Sequence, residues 1–355
     1  APVPYCPSWF PVRRWSAYSK VPSSEHHAKI PIHHPRYFLI PKVSMPLHAL
    51  LLFLGALPAV KALHKDFAFD IIDGHYIYPD GLAAVWLGKA FKKPVVLSAR
   101  GSDINQFSRF RTIKPMIRAA LKGADGVISV CDALKREMVE LGAHEDKIRV
   151  IPNGIDSKKF FLKDSQQAKM HLKLPLTNKM ILSVGSLIPR KGFQHLISAM
   201  PDVLKSQPDA RLYIVGEGAY RKALERQIED LELQERVFLV GECPNAELME
   251  WYNAADVFCL ASSREGWANV LMEAMACGCP VVATNVYGAP EIVTKKEVGR
   301  LVSQDPGSLA QALIEALASE WSRDRIRQHV IERDWSVVAR EVEHAFHNVL
   351  EGCTA

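Results

Sequence analysis

Short apolar runs of strand length alternate with helix-forming stretches along most of this chain. An apolar run followed by an amphipathic stretch is typical of a buried strand and of the helix that crosses back over its sheet. Repeated alternation of this kind favours parallel sheets with helices packed on both faces. We predict strands over residues 69–73, 95–99, 127–130, 148–151, 180–184, 211–215, 237–240, 257–260 and 281–283. We predict helices over residues 81–91, 132–141, 194–206, 220–231, 246–254 and 269–277.

The alternation is interrupted near the middle of the chain. Residues 151–156, IPNGID, continue neither a strand nor a helix, because proline fixes φ and glycine frees it. A chain of 355 residues also exceeds one ordinary core and fits two domains. We therefore predict two doubly wound domains, over residues 1–170 and 171–334, and a final amphipathic helix over 335–355. Ligands of such proteins bind at the carboxyl ends of the strands, in the cleft between the halves.

Two glutamates, Glu265 and Glu273, flank the start of a predicted helix. Free N–H groups and the macrodipole at a helix N-terminus attract anions, so a diphosphate could rest there while each carboxylate accepts bonds from hydroxyls at either end of the same ligand. Sugar, diphosphate and ribose together make a nucleotide sugar. Each glutamate also has an ordinary explanation, as an exposed helix residue or as an acid that matches the helix dipole. Their spacing and Gly266 favour the ligand.

A loop with two cations follows the first predicted strand of the second half. It begins at Gly185 and Ser186, reaches Arg190 and Lys191, and enters a helix. Glycine permits close approach of the backbone, while arginine binds phosphate as a fork and lysine as a point charge. An exposed basic loop is the alternative, but its position at the end of a strand favours phosphate binding.

Glycine turns follow the next two predicted strands, at Gly216 and Gly241. The first begins like a dinucleotide fingerprint, but Arg221 stands where the third glycine would fall. An NAD site is therefore not expected. A turn that lets the backbone pass near a ligand is the remaining interpretation.

Two loops of the first half also end strands and precede helices. One carries His75, whose side chain can donate to a phosphate or sugar oxygen, although a histidine at a strand end is as often structural. The other carries Arg100 and Asp103. Asp103 is either an acid that acts on an acceptor or a helix cap.

The stretch SSREGWANVLMEAMACGCPVV over residues 262–282 resembles the signature of the family-four retaining glycosyltransferases. These are GT-B enzymes, with an α/β fold of two Rossmann-like domains that face a cleft. The resemblance implies an acceptor-side first domain, a second domain that binds the nucleotide sugar, and a final helix that crosses back to the first domain. It implies that Glu265 holds the transferred sugar and Glu273 the ribose. The diphosphate would meet the first helical residues, Asn269, Val270 and Leu271.

The same resemblance extends to the other loops. Lys191 stands at the lysine of the family's phosphate loop, and Ser186 stands where many relatives have arginine, so Arg190 is either the second cation or a mere neighbour. The turn at Gly241 matches the loop that contacts the nucleobase. Arg100 replaces a histidine before Gly-Ser-Asp, and a permanent cation excludes proton shuttling there. Because a first strand and a glycine-rich loop normally precede such a segment, we expect this chain to lack its N-terminal strand.

Basic residues are concentrated in residues 1–61, which contain Glu25 as their only acid. Such a segment attracts anionic partners such as lipid headgroups, although a solvated surface is the alternative. No nucleic-acid motif accompanies it, and we expect no nucleic-acid partner. The apolar run 47–60 is shorter than the about 20 residues of a membrane span, so we expect a buried helix, with a membrane-dipping helix as the alternative. The basic residues are Arg13, Arg14, Lys20, Lys29, Arg36, Lys42 and Lys61.

Seven scattered cysteines imply no disulfide framework, which favours the cytoplasm, either free or at the inner face of the cell membrane. Cys277 and Cys279 lack further metal-binding residues nearby, so we expect packing roles for them. Without an Asp-x-Asp pair near the phosphate loop, we expect no metal and no cofactor beyond the donor itself.

These features lead to one functional hypothesis. The chain is a retaining, hexosyl-type glycosyltransferase that moves a sugar from a UDP- or GDP-linked donor to a hydroxyl of a carbohydrate or lipid-linked acceptor, in polysaccharide or glycoconjugate synthesis. Retaining members are thought to let the leaving diphosphate help deprotonate the acceptor, which fits a site rich in cations and lacking an evident base. A sugar-nucleotide epimerase of the same architecture and a non-catalytic sugar-nucleotide binder or membrane scaffold are the alternatives.

Overall fold

The structure is a computed structural model, which describes residues 1–5, 17–39 and 44–354, with side chains to residue 352. Cys6, Arg13, Arg14, Lys42 and the side chain of Cys353 lie outside this description. The chain divides into two compact units. Unit 1 consists of Ala1–Ile151 with Val342–Ala355, and unit 2 consists of Pro152–Glu341.

Unit 1 is built on a four-stranded parallel sheet in the order β5-β6-β7-β8. Its two central strands are buried along their whole length, as expected for a sheet that helices cover on both faces. Shorter strands precede it: β1 pairs with β4 in parallel, and β2 and β3 form an antiparallel hairpin. The strands are β1 Val3–Pro4, β2 Ser24–His27, β3 Ile30–His33, β4 Arg36–Tyr37, β5 Ile72–His75, β6 Val95–Ala99, β7 Gly126–Ser129 and β8 Ile148–Val150.

Helices connect the strands of the unit 1 sheet. They are α1 His48–Asp66, α2 Leu82–Phe91, α3 Ser102–Asn105, α4 Lys114–Gly123 and α5 Asp132–Glu140. The strand predicted over residues 69–73 instead begins at Ile72. The reason is that Phe69 packs against the rings of His64 and Phe91, with centroids 4.6 and 5.8 Å away, and anchors the loop before the strand.

Helix α1 departs from its prediction in two respects. It is not a buried helix, because it packs through Ala49, Leu52 and Ala56 on one side only. Of its most apolar 18-residue stretch, only 17% is buried. It is also longer than the apolar run suggested, since Pro58 lies inside the helix and does not end it. Within the described residues, the segment Met45–Asp66 is the one helix whose length and mean hydropathy of 1.7 would suffice to cross a membrane.

Unit 2 is built on a six-stranded parallel sheet in the order β11-β10-β9-β12-β13-β14. Alternate residues of its strands enter different cores: Met180 and Leu182 pack on one face, and Ile181 packs on the other. The strands are β9 Lys179–Val184, β10 Ala210–Val215, β11 Val237–Gly241, β12 Val257–Leu260, β13 Val281–Thr284 and β14 Gly299–Val302.

The helices of unit 2 follow its strands with few exceptions. They are α6 Ser165–His171, α7 Phe193–Ser206, α8 Arg221–Asp230, α9 Leu248–Ala254, α10 Asn269–Ala276, α11 Ala289–Ile292, α12 Pro306–Ala318 and α13 Arg323–Ile331. A last helix, α14 Trp335–Thr354, begins in unit 2 and ends in unit 1. Cys277 and Cys279 follow α10 and are fully buried in the core. The predicted alternation of strands and helices is confirmed, and so is the α/β fold class.

Candidate active site

Three predicted glycines lie side by side at one edge of the unit 2 sheet, because β9, β10 and β11 are neighbouring parallel strands. The Gly185 amide donates to Val215 O at 2.9 Å, and the Gly216 amide donates to Gly241 O at 2.8 Å. Gly216 has a φ of +143°, and a Cβ there would lie 2.0 Å from Gly185 O. The backbones at this edge are therefore closer than any side chain would allow.

The basic loop meets the first glutamate at the same edge, since β9 also neighbours β12. Lys191 Nζ lies 2.6 Å from Glu265 Oε1, and Arg190 lies 3.7 Å from Glu265 Oε2. Lys191 and Glu265 are 15% and 11% exposed, so this pair is shielded from most of the solvent. Arg190 also donates to Arg264 O at 2.5 Å, whereas Ser186 is exposed. Two cations and a carboxylate thus form one cluster.

Gly192 lets the loop that carries Arg190 and Lys191 approach the loop that carries Glu265. Its φ is +73°, and a Cβ would lie 1.8 Å from Ala261 O. Gln304 donates to the same carbonyl oxygen at 2.8 Å, and the Ser263 amide donates to Arg190 O at 2.9 Å. The loop that carries the cations is therefore held against the loop that carries Glu265.

Helix α10 begins at Asn269, three residues after Gly266, with Ala268 as its N-cap. The Leu271 amide donates to Ala268 O at 2.9 Å, so it is already occupied. Within the described part of the chain, the Val270 amide has no acceptor, and it remains available to an anion. The Asn269 side chain accepts a bond from Asn153 Nδ2 at 3.1 Å. Of the three predicted residues, the structure thus favours Val270 for anion binding.

Glu273 lies one turn further along α10, where Tyr252 holds it. The Tyr252 hydroxyl donates to Glu273 Oε2 at 2.8 Å, and the tyrosine is fully buried. Burial raises the pKa of Glu273, and the bond from Tyr252 opposes that rise. One carboxylate oxygen is thereby fixed by the protein, which orients the other.

These groups combine two cations and a backbone amide, which suit an anion, with two carboxylates, which suit hydroxyl groups. The cations and the Val270 amide suit a diphosphate, and the carboxylates of Glu265 and Glu273 suit sugar hydroxyls. Such a set can bind a ligand whose charge lies in the middle and whose hydroxyl groups lie at both ends.

Unit 1 contains a second polar cluster, at the carboxyl ends of β5 and β6. Arg100 donates to His75 Nδ1 at 2.6 Å, and His75 Nε2 lies 2.8 Å from Asp73 Oδ2. Because Nδ1 accepts, the ring proton resides on Nε2 and is donated to Asp73. The structure therefore brings the predicted His75 and Arg100 together, on an exposed surface.

Asp103 lies beneath this cluster and is fully buried. Its carboxylate accepts from the amides of Gly101 at 2.7 Å, Ile77 at 2.9 Å and Arg100 at 3.1 Å. Burial raises its pKa, and these backbone bonds act in the opposite direction. The contacts favour the structural interpretation of Asp103, as a residue that ties together the loops that carry His75 and Arg100.

Comparison with known families gives two matches. The family described as glycosyl transferases group 1 matches residues 164–333, and glycosyltransferase family 4 matches residues 17–159. The chain belongs to the family-four glycosyltransferases. This glycosyltransferase is 27% identical, over 292 residues, to N-acetyl-alpha-D-glucosaminyl L-malate synthase of Bacillus anthracis; the alignment covers 79% of this chain and 75% of the relative.

Solved structures show the same architecture. Sucrose-phosphate synthase from Thermosynechococcus elongatus has a TM-score of 0.79 at 25% identity, covering 94% of this chain and 87% of that one. Anabaena HepE in complex with UDP has a TM-score of 0.74 at 22% identity, covering 89% of this chain and 86% of that one. Structural neighbours of this glycosyltransferase are GT-B enzymes, which confirms the predicted fold class.

Sequence reasoning missed several residues that shape this glycosyltransferase's sites. Tyr252 lies in a helix 21 positions before its partner Glu273, and Gln304 lies 43 positions after Ala261, so spacing gave no signal for either. Asp73 was visible at the end of a strand, two residues before His75, and that spacing could have identified it as the partner of the histidine.

Proposed function

We propose that this glycosyltransferase retains the configuration of the sugar and transfers it from a UDP- or GDP-linked donor to a hydroxyl of a carbohydrate or lipid-linked acceptor, in polysaccharide or glycoconjugate synthesis. The observation that carries the proposal is the contact of 2.6 Å between Lys191 Nζ and Glu265 Oε1, next to the N-terminus of α10. The UDP complex of Anabaena HepE supports a uridine nucleotide as the first candidate. The reaction is proposed to take place in the cytoplasm or at the inner face of the membrane, without a metal or further cofactor.

Donor binding exchanges partners within the cluster. The diphosphate takes the charges of Lys191 and Arg190, which releases Glu265 to accept bonds from the hydroxyls of the sugar. The ribose hydroxyls donate to the free oxygen of Glu273, whose other oxygen Tyr252 holds. The ligand is then fixed at both ends and at its centre.

Cleavage of the sugar–phosphate bond builds negative charge on the leaving diphosphate. Lys191, Arg190 and the Val270 amide stabilise that charge, and they are in place before the reaction begins. The departing oxygen takes the proton of the acceptor hydroxyl on the same face of the sugar. In unit 1, Arg100 is proposed to donate to an oxygen of the acceptor. His75 is proposed to donate to the acceptor when its Nε2 proton leaves Asp73.

Two variants with opposite expected effects test the donor site. Lys191→Met should weaken UDP or GDP binding by about tenfold or more, since a charge-assisted hydrogen bond contributes roughly 1.5–3 kcal/mol. Glu265→Gln should leave nucleotide binding equal or tighter, because Lys191 loses its competing partner, yet abolish sugar transfer. Lys205→Met, at an exposed pair with Asp202, is the matched control. Isothermal calorimetry against UDP, GDP and ADP measures the binding.

Product analysis separates the alternatives. NMR of the glycoside should show the anomeric configuration of the donor; inversion would contradict retention. Conversion of the donor sugar's configuration without any acceptor would identify an epimerase. Full transfer by Glu265→Gln, or the absence of binding to every nucleoside diphosphate, would refute the assignment of this site.

A further inference from the structure

Helix α1 and the helical turn before it, Met45–Leu47, present an exposed stripe that the donor site does not use. Residues 47, 50, 54, 58, 61 and 65 recur every three or four positions, so they lie on one side of the helix. The first three are Leu47, Leu50 and Leu54, whose side chains are 56%, 41% and 53% exposed. Apolar side chains exposed in one continuous row are uncommon on a surface that only water meets.

The stripe has an apolar part followed by a positively charged part. Leucines and Pro58 occupy its first four positions, and Lys61 and Lys65 occupy its last two. Both lysines are exposed, and Phe67, just beyond the helix, is 62% exposed. An apolar row that ends in cations matches a surface whose interior is hydrocarbon and whose boundary is anionic.

The opposite side of α1 is anchored in unit 1, which decides how the helix can meet such a surface. Leu52 packs with Tyr37 and Ala83, and the ring of Phe53 meets that of Trp86 with centroids 5.9 Å apart. A Cβ on Gly55 would lie 2.5 Å from Tyr37 Cβ, so the helix and β4 are in close contact. A helix held in this way cannot cross a bilayer without leaving its unit, and it therefore lies flat.

We propose that this stripe, from Leu47 to Lys65, docks α1 on an anionic lipid bilayer. The leucines enter the boundary between headgroups and acyl chains, and the lysines contact phosphate groups at the surface. The occupant follows from charge complementarity, because the two charged residues of the stripe, Lys61 and Lys65, are both exposed cations. The inference goes beyond the transfer reaction and is independent of it, since docking is measured without a donor.

Vesicle co-sedimentation of the full chain tests the proposal. The protein should bind vesicles of phosphatidylcholine with phosphatidylglycerol, and bind phosphatidylcholine alone much less. Leu50→Gln with Leu54→Gln should lower the partition coefficient by about tenfold or more, because two apolar side chains lose their burial in lipid. Lys61→Glu with Lys65→Glu should cause a similar loss on anionic vesicles only. Leu176→Gln with Leu231→Gln, which changes two exposed leucines of unit 2, is the control and should bind as the parent does.

Measurements of folding, nucleotide binding and oligomeric state distinguish lipid docking from its alternatives. Thermal melting and UDP affinity should be unchanged in all three double variants, because their side chains are exposed and none of the six residues belongs to a donor loop. Equal binding by parent and leucine variant would overturn the proposal, as would equal binding to neutral and anionic vesicles. A dimer in size-exclusion chromatography that the leucine variant dissociates would instead assign the stripe to a second copy of the chain, and would also overturn it.

Discussion

Replacing Tyr252 by phenylalanine should show how much the Tyr252 hydroxyl stabilises the charged form of Glu273. The variant removes one hydroxyl, and with it the bond of 2.8 Å to Glu273 Oε2, from a fully buried position. A hydrogen bond to a charged group contributes roughly 1.5–3 kcal/mol, whereas a bond between neutral groups contributes about 1 kcal/mol. The cost of the substitution therefore depends on whether Glu273 is ionised.

The sign of the pH dependence of stability follows from the shift of the Glu273 pKa in the folded protein. Burial raises the pKa of Glu273 in the folded protein, because it disfavours the ionised carboxylate. The free energy of unfolding therefore falls as pH rises from the pKa of the unfolded state, about 4.3, through the raised pKa of the folded state. The bond from Tyr252 limits that rise. Tyr252→Phe should raise the folded pKa further. It should destabilise the protein by about 2 kcal/mol where Glu273 is ionised and by about 1 kcal/mol where it is protonated, so the cost should be larger at pH 8 than at pH 5.

Urea unfolding of parent and variant at these two pH values is the assay. Tyr213→Phe is the control, because Tyr213 is also a buried tyrosine of unit 2 and packs by stacking on Phe238 at 4.9 Å. Its cost should be small and equal at both pH values. UDP affinity should fall in Tyr252→Phe, since Glu273 loses its orientation. A cost that is the same at pH 5 and pH 8, or a match to the control, would refute the account of Glu273.

Two further substitutions test the loops. Gly192→Ala should lower stability by more than Gly142→Ala, because both positions have positive φ, at +73° and +95°, but only Gly192 would place a Cβ 1.8 Å from a backbone oxygen, while Gly142 has open space. Equal shifts in melting temperature would show that the contact with Ala261 carries no cost. Asp103→Asn should destabilise unit 1 by roughly 1–3 kcal/mol, because an amide nitrogen cannot accept the backbone hydrogen bonds that the carboxylate accepts. Hydrogen exchange of the Ile77 and Gly101 amides should accelerate in this variant. Unchanged protection of these amides would contradict the structural role of Asp103.

Regular elements could be predicted from the sequence because their patterns are local. The strand at Val257–Leu260 and the start of α10 at Asn269 agree with the expectation, since apolar runs and good helix formers mark both. Helix α1 shows where local rules fail. The apolar run 47–60 favoured a buried helix, but which side of an apolar helix is buried depends on neighbours that the sequence does not identify.

The candidate site was predictable in its residue types but not in its partnerships. The sequence placed Lys191 and Glu265 at the ends of strands; that they contact each other required the order in which β9 and β12 pair. The assignment of Val270 over Leu271 depends on one backbone bond to Ala268. Contacts of this kind join distant positions or single atoms, and no spacing rule contains them.

The pairing of Lys191 with Glu265 has a consequence for selectivity. A small anion such as inorganic phosphate can bind the Lys191 ammonium group only by drawing it away from the largely buried carboxylate of Glu265, and the cost of weakening that ion pair opposes its binding. In the proposed donor complex, a glycosylated pyrophosphate compensates both groups in one event. We therefore expect the enzyme to discriminate against fragments of that donor through the cost of separating its own charges.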